Sequence, residues 1–218
     1  QLHRADKIVT VESPIEYVYP FDGMGEVVQR EVPRDVRTFG GGIEAAMRDD
    51  PDIILIGECR DGVTMNSAVA ASNTGHLAFT TVHANSAPDT IRRIVNFFDK
   101  EDVPSIKIDL SENLRAVLSQ RLVHKAGGRG RVAVREILNV DDAAKRMILD
   151  DDYDGLMDGL RSHDGDMSGQ LGLGAARGIM DYASARQLSD PYFDRFDEVF
   201  ARECKRLRVD AERIVNGA

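Results

Sequence analysis

The sequence predicts an α/β fold: a mostly parallel sheet flanked by helices, followed by a helical carboxyl-terminal segment. Three observations lead there. Over residues 1–140, short β-branched and apolar runs alternate with stretches of helical periodicity, the pattern of a parallel sheet with crossover helices. The run at 53–57 (IILIG) is apolar without alternation, as a strand buried on both faces requires. Beyond Asn139 the pattern is nearly all helix.

In chain order, Lys7–Glu12 (KIVTVE) reads as a strand, and Pro14 forbids further sheet pairing. Residues 42–48 read as a helix, 53–57 as the next strand and 63–72 as a helix. Residues 77–83 (LAFTTVH) form a third strand and 87–98 a helix. Residues 104–122 continue as helix, with Ile106, Leu110, Leu114, Val117, Leu118 and Leu122 on one face. Residues 131–138 (RVAVREIL) alternate as a strand. The tail reads as three helices, roughly 141–149, 172–188 and 191–207, with Asp150-Asp151-Asp152 and 165–174 as connectors. Asp190 reads as an N-cap candidate and Pro191 as a first-turn proline. A boundary near Asn139 divides residues 1–140 from 141–218.

Composition excludes several classes. With 42% hydrophobic and 30% charged residues the chain is neither disordered nor membrane-spanning. The uncharged stretch 62–87 includes Asn66, Asn73, His76 and His83, and is too rich in Ser, Thr and Asn to cross a bilayer. Two cysteines exclude a disulfide-rich scaffold and a Cys-only zinc site. A net charge of −9 argues against broad, non-specific nucleic-acid binding, and most of the excess acid lies in the tail. Gln1 to Asp6 shows no secretory leader pattern. The first apolar run is a strand with nothing before it to pair with, so the chain is expected to be part of a longer polypeptide.

The residues able to carry chemistry cluster at strand ends, where parallel α/β sheets bind ligands. Asp50 to Asp61 (DPDIILIGECRD) ends an apolar strand in Gly57, then a carboxylate, Glu58. Gly57 lets backbone approach a ligand, and Glu58 could hold a metal-bound water or polarise a nucleophilic one. Glu12 ends the first strand in the same way. Taken singly, Glu58 reads more readily as an exposed acid after a core strand, and Glu12 equally as a surface acid. His76 and His83 lie seven positions apart, on opposite faces of a regular strand, so they do not form a simple metal pair. His83, at the carboxyl end, is the ligand-facing candidate, whereas His76 suits a hydrogen bond at the strand's start. Arg30, Arg34, Arg37, Arg92 and Arg93 suit a solvated surface, although an Arg could reach a neighbour's phosphate. No G-x-x-x-x-G-K-S/T loop occurs, and Gly40-Gly41-Gly42 is followed by Ile43 and Glu44 without a Lys. The rim thus has acids for Mg²⁺ and water but no phosphate cradle.

Together these stretches resemble the secretion-type traffic ATPases: type IV pilus motors, type II secretion ATPases and the DotB/TraJ-like ATPases of type IVB secretion and conjugation. VTVESPIEY resembles that family's Asp box, DPDIILIGECRD its atypical Walker B, and TGHLAFTTVHANSAPDTIRRIV its His box. Gln29-Arg30-Glu31-Val32, the stretch from Ser111 to Leu122, and GRVAVREIL match further family stretches. The resemblance is dense over about residues 7–140 and loose in the tail. It implies a RecA-like core using ATP and Mg²⁺. Glu58 would be the catalytic carboxylate, Glu12 would help position metal and water, and His83 would face the γ-phosphate. Arg60 joins these three as a nucleotide-contact candidate. Glu12 and Glu58 would hold Mg²⁺ through water. The resemblance further implies a homohexamer, cytoplasmic and peripheral to the inner membrane. It would act on an inner-membrane platform protein of a pilus or secretion system, with no nucleic-acid partner. Ser13 stands where the family often has Asp, and the four-Cys insertion of the type II secretion and pilus-extension members is absent; the latter favours the pilus-retraction or DotB/TraJ-like branch. The family's Walker A and arginine-finger domain are expected upstream of Gln1. Two other readings stand beside this one: a non-catalytic oligomerisation or platform-binding module, and a RecA-like nucleic-acid motor.

Overall fold

A computed structural model describes residues 4–20 and 23–216. The first three residues of the stretch 1–6 and the last two of the tail lie outside that range. The chain divides into two compact units, one of residues 1–83 and 92–114, the other of residues 84–91 and 115–218.

The first unit is built on strands β1 (Lys7–Glu12), β2 (Glu26–Glu31), β3 (Ile53–Ile56) and β4 (Leu77–Thr80), all parallel, in the order β2-β1-β3-β4. The two inner strands supply the core: Val9, Val11, Ile54 and Ile56 are fully buried. Helices α1 (Phe39–Met47), α2 (Gly62–Asn73) and α4 (Val103–Asn113) belong to this unit, while α3 (Ala87–Val95) begins in the second unit and ends in the first. The triple glycine opens α1 rather than a loop, with Thr38 Oγ1 accepting the Gly41 N–H at 3.1 Å. A Cβ on Gly42 would lie 2.9 Å from Val11 Cγ1, so glycine there lets α1 lie directly on β1. Strand β2 is an element that apolar patterning did not predict. It is an edge strand, and its half-buried Gln29 and Arg30 make polar contacts that a central strand could not offer.

Two expectations fail between residues 104 and 139. The helix expected over 104–122 stops at Asn113, and Ala116–His124 is a strand, β5. Leu118 and Leu122, assigned to one helical face with Val117, are 61% and 51% exposed while Val117 is buried, the alternation of a strand. The strand over 131–138 exists as β6 (Arg131–Asn139), but it pairs antiparallel with β5 in a separate two-stranded sheet. The boundary therefore falls after Leu114, not near Asn139. The cause is packing: Val123 of β5 and Val134 of β6 share one core with Leu171, Phe196, Phe200 and Cys204 of the helical tail.

The tail holds six helices among the described residues, not three: α5 (Asp142–Leu149), α6 (Tyr153–Arg161), α7 (Met167–Ala176), α8 (Tyr182–Leu188), α9 (Phe193–Leu207) and α10 (Ala211–Val215). The glycine-rich connector expected over 165–174 is mostly α7, and Pro191 precedes α9 instead of sitting in its first turn. Glycine serves packing here: a Cβ on Gly172 would sit 2.9 Å from the Phe196 carbonyl oxygen, so α7 and α9 touch backbone to backbone. Much of the tail's acid caps helices. Asp141, Asp152, Asp166, Asp181 and Asp210 each accept a backbone N–H at a helix start. Glu203 is buried between Arg206 and Arg177, at 2.6 and 2.8 Å, and these hydrogen bonds hold its carboxyl at about 2. Among the described residues, no helix is long and apolar enough to cross a membrane.

Candidate functional site

The carboxyl ends of β1 and β3 lie side by side. Val11 pairs with Ile56, and the Gly57 N–H continues the ladder by donating to the Val11 carbonyl at 2.8 Å. Glu12 and Glu58 thus leave adjacent strands one and two positions beyond the last residues that β1 and β3 pair. A Cβ on Gly57 would lie 3.2 Å from Glu12 Cα and 3.3 Å from the Val11 carbonyl oxygen, closer than most side chains tolerate. Glycine at 57 therefore lets the two acidic strand ends run this close.

The β4 end is tied to the same rim. The Cys59 N–H donates to the Thr81 carbonyl at 2.9 Å, and Thr81 Oγ1 donates to the Gly57 carbonyl at 2.6 Å. Strand pairing ends at Thr80, so His83 lies in the following loop, not in the strand as expected. Its Nε2 is 3.9 Å from Glu58 Oε2, with the ring largely exposed. The Glu58 side chain is itself only 15% exposed, and Arg60 Nη2 donates to its Oε1 at 2.7 Å. The four sequence-derived candidates are thereby gathered on one rim: Glu12 beside Glu58 through the strand pairing, Arg60 and His83 directly against Glu58. His76 is elsewhere, at the start of β4, where Nδ1 sits 3.0 Å from both the Ala71 carbonyl and Thr74 Oγ1 at the end of α2.

Glu12 is held from two sides. Thr10 Oγ1 donates to Glu12 Oε1 at 2.5 Å and Gln29 Nε2 donates to the same oxygen at 3.0 Å. Gln29 also donates to the Tyr17 carbonyl and accepts from the Tyr19 N–H, so it orients the acid and fastens the loop after β1. Glu31 accepts the Ile15 N–H at 3.0 Å and fastens that loop again. The positioning roles of Thr10 and Gln29 were not apparent from sequence: Thr10 is an inward strand residue and Gln29 lies in an unpredicted strand. Arg30 and Arg34 are engaged by Asp49 and Asp35 within the unit. The Arg34 hydrogen bond helps hold the Asp35 carboxyl at about 2.

Among the described residues no cluster of three or more His, Cys, Asp or Glu side chains could hold a metal ion unaided. Two carboxylates on adjacent strand ends do fit Mg²⁺, which keeps several waters and takes further oxygens from a phosphate substrate.

Comparison with known proteins bears on the family and the fold. The family described as "Type II/IV secretion system protein" matches residues 1–186. The Pseudomonas aeruginosa type IV pilus retraction ATPase PilT is 45% identical over 144 residues, 66% of this chain and 41% of that protein. The Klebsiella pneumoniae type II secretion system protein E is 43% identical over 122 residues, 56% of this chain and 22% of that protein. Among solved structures, the pilus retraction motor PilT with bound ADP superposes with a TM-score of 0.80 at 35% identity, over 88% of this chain and 55% of that one. The Legionella pneumophila ATPase DotB gives 0.76 at 31% identity, over 84% of this chain and 51% of that one. The chain spans roughly two fifths of the length of the PilT relative and about a fifth of the protein E relative.

Proposed function

This chain belongs to the type II/IV secretion system protein family, and from that premise we propose that it forms part of a hexameric ATPase motor. The motor couples ATP hydrolysis to subunit movement in type IV pilus dynamics or in type II or type IV-like secretion or conjugation. Residues 1–83 and 92–114 supply the carboxyl-terminal part of a RecA-like core, and the second unit adds the β5–β6 hairpin and the helical tail. One observation carries the proposal: Glu12 and Glu58 leave neighbouring parallel strands side by side, with His83 Nε2 3.9 Å from Glu58.

The residues divide the work. Phosphoryl transfer to water needs a positioned nucleophile and compensation of phosphate charge. Glu58 orients the attacking water and accepts its proton. Glu12, fixed by Thr10 and Gln29, would share water-bridged Mg²⁺ with Glu58, and the ion would neutralise phosphate charge. Arg60 now bonds Glu58, and its exposed guanidinium can exchange that carboxylate for a phosphate oxygen, freeing Glu58 to act as base. His83 donates to the γ-phosphate. The motor works in the cytoplasm against an inner-membrane platform protein.

The complete protein is expected to hydrolyse ATP in a Mg²⁺-dependent reaction and to sediment as a ring, a hexamer, with a non-hydrolysable ATP analogue. The 218-residue chain alone is expected to show no measurable hydrolysis, because acids without a phosphate-binding loop repel a triphosphate. Turnover by the chain alone would mean that the site is misplaced, and a strictly monomeric, active complete protein would refute the ring. Within the complete protein, His83→Ala is expected to lower kcat about 10-fold or more, and His76→Ala distinctly less. A larger effect at His76 would reverse the assignment of the two rings.

A further inference from the structure

We infer that Glu136 is a positioning residue that ties the segment immediately following His83 to the helical unit, so that the helical tail and the nucleotide-facing histidine move as linked parts. The inference rests on the role proposed for His83.

Glu136 projects from β6 and is 1% exposed, among the most buried side chains of the chain. Both carboxylate oxygens accept backbone N–H groups at helix starts. Oε1 accepts from Ala87, the first residue of α3, at 2.6 Å, and Oε2 accepts from Met167, the first residue of α7, at 2.7 Å. A carboxylate between two helix N-termini meets two positive dipole ends and two otherwise orphaned donors. Burial pushes the Glu136 carboxyl upward and nearby Asp166 adds to this, while the two N–H bonds and Arg121 act the other way.

The two bonded helices have different importance for the rim. Helix α7 lies in the core of the tail. Ala87 lies four residues after His83 in sequence, and the change from first to second unit falls between His83 and Ala84. Four Cα-to-Cα steps, at most about 14 Å when extended, join His83 to Ala87, so a fixed Ala87 limits how far His83 can travel. The same segment is gripped once more from the β5–β6 hairpin, where Arg121 Nη2 donates to the Asn85 carbonyl at 3.5 Å and Nη1 to the Leu188 carbonyl at 3.4 Å. Ser86 closes the start of α3, its hydroxyl accepting from Asp89 at 3.2 Å and its carbonyl from Thr90 at 3.0 Å. A pair of hydrophobic residues could fill the space of Glu136 without holding either backbone, and an acid with both oxygens engaged does what packing alone does not.

Glu136→Gln keeps the volume and one acceptor but sets an NH₂ against a backbone N–H. In the 218-residue chain, amide hydrogen exchange at Ala87 or Met167 should speed by at least about 10-fold, with Phe196 and Val199 unchanged. Unchanged exchange at both amides would overturn the bridge. In the complete ATPase the variant should lower kcat about 10-fold with KM for ATP within about twofold. In a His83→Ala background the same change should cost little more, because the residue acts through that ring. Additive losses, or full kcat with loosened amides, would overturn the link to His83 while leaving the ATPase reading intact. If His83→Ala alone is silent, the histidine assignment fails and the link fails with it, whatever the exchange data. Should Glu136→Gln not fold, Ala87→Pro deletes the donor at a helix start that tolerates proline, adding ring atoms at a buried position, and the same kcat and double-variant outcomes apply.

Discussion

Glu58→Gln in the complete protein is expected to lower kcat by about 100-fold or more while ATP affinity stays within about threefold. Glutamine keeps the shape and can still accept a hydrogen bond, but it neither takes a proton from water nor lends charge to a metal-bound water; removing a general base costs on the order of 10² to 10⁴. The side chain leaves β3 through Gly57 and is 15% exposed, so the change is confined to the rim and opens no core cavity. The lost partner is Arg60, whose side chain is 75% exposed; an ion pair that open to solvent contributes little to folding. Equilibrium ATP binding and single-turnover hydrolysis separate the two effects. Normal turnover would reduce Glu58 to a strand-end surface acid. Lost binding with unchanged chemistry would make it a ligand only.

The rim was legible in the sequence because strand-end chemistry is local. An apolar run closed by Gly57 and Glu58 says where the backbone stops and the acid begins, and the parallel pairing of β1 with β3 then places Glu12 beside it. Less legible was everything that depends on which segments meet. Residues 116–122 satisfy both a helical and a two-residue period, and only pairing with β6 decides between them. Glycines at 165–174 look like punctuation until α9 lies against α7, when Gly172 becomes a contact surface. Strand β2 carries Gln29 and Arg30 because an edge strand can present polar side chains to Glu12 and Asp49, and apolar patterning is blind to that. His83 approaches Glu58 for a reason other than strand register: the strand ends at Thr80, and the Thr81 bonds to Gly57 and Cys59 carry the loop towards Glu58. Glu136 showed nothing in sequence beyond an acid within an alternating strand. Its two helix-start partners lie 49 and 31 positions away.

Phe196→Ala should unfold the second unit more readily by about 3–5 kcal/mol, the usual cost of truncating a buried aromatic ring. Phe196 is fully buried in α9, parallel to Phe200 at a centroid distance of 6.0 Å and edge-on to Tyr182 at 5.5 Å. The void is hard to close. Its backbone already touches α7 at Gly172, and the core around it draws on Leu171, Ala175, Val123 and Val134, from elements fixed by their own pairing. For a unit of this size such a loss lowers its melting temperature by on the order of 15 °C. The parallel sheet should be spared, since Val9, Val11, Ile54 and Ile56 form its core within the first unit. Hydrogen exchange followed by unit is the discriminating measurement: amides of α7, α9 and β6 should lose protection while those of β1 and β3 keep theirs. Equal losses in both units would show that the chain unfolds as one body, and a cost below about 1 kcal/mol would show that the aromatic cluster closes over the missing ring. Protection lost in the second unit alone would show that the two units have separate stabilities, each set by its own core.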